Sequence, residues 1–285
     1  MNVDLWLLPS STQLSSPQLA EFATLCRRAD ALPTLDPGLD AALQASFEWQ
    51  RCPPWAALLS GAPTDSPTPW IAADLIHLRA EVVGARVMAL ATDAAEPDPD
   101  CALLFDALRP WLADEAIELA QVIGGRALLR CPISLGDPGA AAPDAVLGCD
   151  LREVLPADLR WQRRLNEMQI VLTQQSCNQA RIRRHLPPWN SLWFWGQGSA
   201  DECPALPLRH VASADPLLQA LARHQQAESI AIDAVAAAPV LRDLRDPRHL
   251  LGALQAGLRP RDAQLRCVDG VGWRVKPWQR LRFWR

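Results

Sequence analysis

The sequence predicts an α/β fold, a mixed sheet with flanking helices, on three observations. Short apolar runs of strand length recur along the whole chain, as in "VDLWLLP" at 3–9. Between them lie longer segments whose apolar residues return every three or four positions, the period of a helix packed on one face. Clusters of Gly, Pro, Ser and Asp punctuate the joints. The two kinds of segment intermix rather than forming separate blocks, which is the pattern of helices layered on a sheet. No internal repeat is found.

Taken in order, "VDLWLLP" stops at Pro9 and Ser10 and reads as a buried strand. In "PQLAEFATLCRRA", Leu19, Phe22, Ala23 and Cys26 share a helical face, with Ser16 and Pro17 as cap and first turn. "GLDAALQASFEW" at 38–49 is a second helix, and Pro53, Pro54 and "GAPTDSPTP" at 61–69 then break the chain. From Trp70, "WIAADLIHLRAEVVGARVMAL" sets two apolar stretches around a polar centre of Asp74, His77, Arg79 and Glu81. A helix at 101–112 follows, then "IELAQVI" and "RALLRCP", joined through Gly124 and Gly125 as a hairpin. After a Gly/Pro/Ala-rich loop at 136–143, Leu165, Met168, Val171 and Leu172 mark a helix over 159–175. The remainder reads as strand and helix over 209–224, strand in "SIAIDAV" at 229–235, and helix over 246–258. A hairpin turning at Asp269 and Gly270 follows. The expected organisation is a main domain of 1–69 with 137–285 and an inserted subdomain of 70–136.

The net charge of −4 argues against a general nucleic-acid binder, and no DNA partner is expected. No apolar run reaches the ~18–20 residues of a membrane helix. Met1-Asn2-Val3-Asp4 places no basic segment before the first apolar run, so no secretion signal is expected. The 8 cysteines lie far apart without a CxxC pair, as reduced thiols of a cytoplasmic protein would. Nucleophile motifs of the GxSxG kind and phosphate loops of the GxGxxG or GxxxxGK[ST] kinds are missing.

The least ordinary stretch is "PPWNSLWFWGQGS" at 187–199, in a chain with 12 Trp and no Tyr. As a strand, it alternates Trp193 and Trp195 on one face with Leu192 and Phe194 on the other. Core packing explains the aromatics. Gly196-Gln197-Gly198 adds a place where backbone can approach another group closely or turn with positive φ. Core and site both remain open.

The residues upstream bring a resemblance. In "CNQARIRRHLPPWNSLWFWGQG", Asn178, Arg181, Pro188, Asn190, Trp193, Trp195, Gly196, Gln197 and Gly198 resemble, in order, a segment of the archaeal-type cofactor-independent phosphoglycerate mutases. The first "LLP", the W-x-x-A-D-x-x-H-L-R of 70–79, the N-E-x-Q of 166–169 and "NSLWFWG" are similar to bacterial RpfE-type regulatory proteins. The resemblance implies a divergent or truncated alkaline-phosphatase-like architecture. It also implies mutase chemistry: a nucleophilic Ser or Thr and two divalent metals, such as Mn or Zn, held by Asp and His.

The chain departs from that pattern. Where the family has an Asp-Gly pair after its first strand, this one has Pro9-Ser10-Ser11. His210, His224 and His249 sit among Arg, Leu and Gln, and Asp233 is followed by Ala and Val. No cofactor is therefore expected. The ligand-binding candidates are Asn178, Arg181, Asn190, Trp193, Trp195 and Gln197, with His77 and Arg79 as contributors, because Arg and amide groups recognise anions. The reading is a regulatory or ligand-sensing protein whose partner is a small phosphorylated or anionic metabolite or a regulatory protein. An active two-metal mutase or phosphotransferase is the alternative, and an interaction scaffold the second. "WRVKPWQRLRFWR" at 273–285 interleaves basic and aromatic residues, and its alternation predicts a half-buried closing strand over Trp278–Trp284.

Overall fold

The computed structural model describes residues 3–93, 96, 98–236 and 239–277. The chain forms two compact units, Met1–Cys52 with Pro204–Arg285, and Pro53–Cys203. In the first stretch of the first unit lie β1 (Asp4–Leu8), α1 (Ser11–Leu14), α2 (Ala20–Arg28), β2 (Asp30–Ala31) and α3 (Leu39–Phe47). The second unit holds α4 (Trp55–Ser60), β3 (Trp70–Glu81), β4 (Gly84–Leu90), α5 (Asp100–Asp114), β5 (Glu118–Ile123) and β6 (Arg126–Arg130). It continues with α6 (Pro143–Val146), α7 (Leu151–Val154), α8 (Leu159–Thr173), α9 (Ser176–Arg183) and β7 (Ser191–Gly198). The chain returns to the first unit with β8 (His210–Ala212), α10 (Pro216–His224), β9 (Glu228–Ser229), β10 (Val240–Asp243), α11 (Pro247–Gln255), β11 (Ala263–Cys267) and β12 (Gly272–Val275).

The first unit is built on a mixed sheet of 7 strands in the order β2-β12-β11-β1-β10-β8-β9. β1 lies parallel to both β10 and β11, and β8 parallel to β10 and β9, while β12 runs antiparallel to β11 and β2. Leu5 to Leu8 are all buried, as a central parallel strand covered on both faces requires. Trp6 and Leu8 join a cluster with Leu19, Phe22 and Cys26 and with Leu250 and Ala253 of α11. The Trp6 and Phe22 rings stack with centroids 6.3 Å apart. Helix α10 begins at Asp215-Pro216 and α11 at Asp246-Pro247. In each, the Asp side chain accepts from a first-turn amide, Leu217 N at 2.7 Å and Arg248 N at 2.8 Å, and Pro fills a position whose N–H would have no partner.

One expected strand is displaced. Of "SIAIDAV" only Ser229 pairs, with β8, and the sheet strand is instead Val240–Asp243. The cause is Arg242, which is buried within β10 and needs acceptors there. The carbonyls of Ile232 and Ala234 supply them at 2.8 and 2.5 Å, so this segment serves a buried guanidinium rather than a ladder. Helix α2 is likewise shorter than its periodicity suggests, because Pro17–Leu19 is a 3-10 turn. The closing strand expected over Trp278–Trp284 lies outside the described residues.

The second unit carries a 5-stranded antiparallel sheet centred on β3. Its residues 70–76 take β7 on one edge, while β6 and then β4 pair along the other. The β5–β6 hairpin turns at Gly124-Gly125 as its sequence predicts. Ile71, Ala73 and Leu75 face Leu192 and Phe194 in a cluster closed by α5 and α8, through Leu104, Phe105, Trp161 and Met168. This pairing explains why the unit runs over Pro53–Cys203 whereas the sequence suggests 70–136. β7, more than a hundred residues further along, completes the sheet that β3 begins.

Candidate functional site

The structure separates the sequence-predicted site residues into two groups. The first gathers at the turn from α9 into β7. Asn178 is buried, donates from Nδ2 to the carbonyls of Leu172 and Trp189 at 2.8 and 2.9 Å, and accepts from Trp189 N at 2.9 Å. Arg181 is 5% exposed. It donates to Pro187 O at 2.9 Å, to Asp98, and to Asp100 at 3.1 Å, and its guanidinium stacks 4.9 Å from the Trp189 ring. Trp189 Nε1 also donates to Asp98, at 2.8 Å. Burial pushes the Asp98 carboxyl up, but bonds from Trp189, the Asp100 amide and Arg181 outweigh it and hold the group below the usual carboxylate range. Asn190 prolongs the sheet beyond the end of β7: its side chain accepts from Leu78 N and donates to Leu78 O, both at 2.8 Å. His77 Nδ1 lies 2.9 Å from Pro188 O. Arg79 stays at the surface, 3.3 Å from Glu81.

The second group lies on the sheet face away from α5 and α8. Trp195 Nε1 donates to Asp74 at 3.1 Å, and Asp74, fully buried, holds Arg126 through two bonds of 2.6 and 2.7 Å. Arg126 in turn stacks 4.8 Å from the Trp195 ring. Trp193 Nε1 donates to Ala141 O at 2.9 Å, fixing the Gly/Pro/Ala-rich loop over it. The two glycines have a structural task. Three residues of β7 answer two of β3 at this point, a bulge, and Gly196 takes φ 63°. A Cβ on Gly196 would stand 3.0 Å from the Trp55 Cβ, and one on Gly198 2.8 Å from the Pro54 Cβ, so both let the start of α4 lie on the strand. Gln197 Oε1 is buried with no bond to the described chain. Gln197 lies in the bulge, at the far end of β7 from Asn190.

A third location was not marked by the sequence. In the first unit, the β8-α10-β9 and β10-α11-β11 connections leave neighbouring strands in opposite directions along the sheet. Right-handed crossovers then send α10 and α11 to opposite faces. The crevice at the carboxyl ends of β8 and β10 is therefore the topological switch point, where open α/β sheets bind ligands. There Asp243 accepts from Arg245 Nε at 2.8 Å and Nη2 at 2.9 Å, and from Ser213 Oγ at 2.8 Å. Asp215 accepts from the same Nη2. Burial pushes Asp243 up, yet Arg245 and Ser213 outweigh it and keep the carboxyl below its ordinary range. Burial acts on Arg245 too, and the two carboxylates more than compensate, raising it above its ordinary value. In sequence, the repeated Asp-Pro helix starts "SADP" and "LRDP" were the available signal, masked by reading the strand at 229–235.

The solved structures that resemble this chain at low identity include the following two. One is the cofactor-independent phosphoglycerate mutase from Thermoplasma acidophilum, with 14% identity and a TM-score of 0.38, covering 95% of this chain and 88% of that one. The other is the PH0037 protein from Pyrococcus horikoshii, with 11% identity and a TM-score of 0.48, covering 93% and 81%. No family model and no curated protein matches the chain.

The two-metal centre implied by the sequence resemblance does not fit the residues present. Among the described residues no group of three or more His, Cys, Asp or Glu is arranged to hold a metal ion. At the switch point, the carboxylates of Asp215 and Asp243 already converge on one guanidinium nitrogen. Cysteine is no substitute nucleophile in the cores, since burial pushes Cys26 and Cys101 up to about 12 and Cys131 to about 11. No helix of the described residues is long and apolar enough to cross a membrane.

Proposed function

We propose that the chain is a regulatory protein of the RpfE type that works by binding, and that it does not transfer phosphoryl groups with metals as a mutase would. The observation that supports this most is Arg245. It supplies, covalently and permanently, the positive charge between Asp215 and Asp243. A divalent cation entering there would have to displace a guanidinium that bonds one carboxylate through two nitrogens, the strong geometry for such pairs. Two carboxylates against one guanidinium also leave the cluster with an excess of negative charge, which disfavours a phosphorylated substrate in that crevice. An anionic ligand at the α9–β7 turn meets the same obstacle, because Arg181 is already bonded to Asp98 and Asp100.

The test is turnover. The purified chain, supplied with Mn²⁺ or Zn²⁺, is expected to show no interconversion of 2- and 3-phosphoglycerate above background. Turnover that a chelator abolishes and added metal restores would overturn the reading.

A further inference from the structure

A groove of about 660 Å³ runs between α2 and α11 in the first unit. Its volume falls within the ~300–1,000 Å³ of small-molecule sites. Leu19 and Phe22 are buried at its floor, and Leu25, Leu251 and Leu254, only partly buried, form its walls. Both helices return from the carboxyl ends of parallel strands and so run in the same direction. The groove therefore has two unlike ends. Glu21 sits in the first turn of α2 at one, and Arg259, just past the last turn of α11, at the other. Arg259 is held in place: its Nη1 donates to the carbonyls of Leu254 and Leu258, each at 2.7 Å. Those bonds also neutralise the carbonyl end of α11. Nε and Nη2 of the same guanidinium make no bond to the described residues, and together they present the fork that fits a carboxylate.

We propose that this groove binds a hydrophobic monocarboxylate, with its apolar body along Leu25, Leu251 and Leu254 and its carboxylate on Arg259. The acidic residue at the far end favours a ligand with one charged head and an uncharged tail, and disfavours a second anionic group there. This site involves none of the residues on which the regulatory reading rests, so either can fail without the other.

The experiment is a fluorescence titration of the full chain with cis-parinarate, competed by decanoate and by decanol. Saturable binding is expected, with decanoate displacing the probe about tenfold better than decanol, the worth of a charge-assisted hydrogen bond. Arg259→Gln, at an exposed position, should erase that preference while leaving decanol unchanged. Leu251→Gln should weaken both competitors. No saturable binding overturns the proposal, and so does an Arg259→Gln protein that still prefers decanoate. Binding that appears only after removal of residues 278–285 also overturns it, since the chain's own end would then be the occupant.

Discussion

Arg181 shows how a residue can be legible while its task is not. Its place in an Asn-x-x-Arg segment before an aromatic strand singles it out in sequence, and a charge there suggests an anionic ligand. Its carboxylate partners, Asp98 and Asp100, lie some eighty residues upstream, on the approach to and at the start of α5. No periodicity or spacing connects such distant groups. Because the cluster is largely buried, Arg181→Ala removes the guanidinium that both carboxylates share and should cost about 3–5 kcal/mol in chemical denaturation, the usual loss when one partner of a buried pair is removed. A loss below about 1 kcal/mol would instead mean that the guanidinium is available to a ligand. The pH dependence follows from the depressed Asp98 carboxyl. A group whose folded value lies below its unfolded one stabilises the protein fully above the unfolded value, about 3.9 for Asp. That contribution disappears as pH falls through the folded value. Asp98→Asn should therefore be less stable than the parent at neutral pH, with the gap narrowing below about pH 4. A gap that stays constant with pH would show that Asp98 is not the titrating group.

The elements were largely readable because their apolar periods agree with their local punctuation. The hairpin at Gly124-Gly125, the helix over 159–175 and the buried first strand follow from patterns within a few residues. The strand expected at 229–235 failed for a physical reason of longer range. An alternation of Ile and Ala is compatible with a ladder, but the buried Arg242 claims that segment's carbonyls. β7 is readable as a strand and not as a bulged one, since the bulge is set by α4, over a hundred residues upstream. The aromatic stretch thus answers largely to packing. Phe194 meets Trp161 with ring centroids 5.1 Å apart, and Phe194→Ala should cost about 3–5 kcal/mol in chemical denaturation. Gly196→Ala should cost about 1–3 kcal/mol, because it adds a Cβ beside Trp55 to a residue at positive φ. A neutral Gly196→Ala would show that α4 can move away from the strand.

At the scale of the molecule, two cores stand behind the two units, and only one unit is continuous in sequence. The segment 53–203 contains its whole sheet and the cluster of α5, α8 and β7, so expressed alone it should give a single cooperative melting transition. A non-cooperative melt would tie its stability to the rest of the chain. The α/β class was legible across the whole length, whereas the switch-point cluster was not, since Ser213, Asp215, Asp243 and Arg245 meet only when β8 and β10 pair. That cluster bears the central claim, that the chain's own guanidinium occupies the carboxylates of the crevice. Calorimetric titration with Mn²⁺ of the intact protein and of Arg245→Ala tests it most directly. No stoichiometric uptake is expected of the intact protein, and a newly gained, weak uptake when Arg245 is removed. Stoichiometric Mn²⁺ binding by the intact protein, lost on Asp243→Asn, would contradict it.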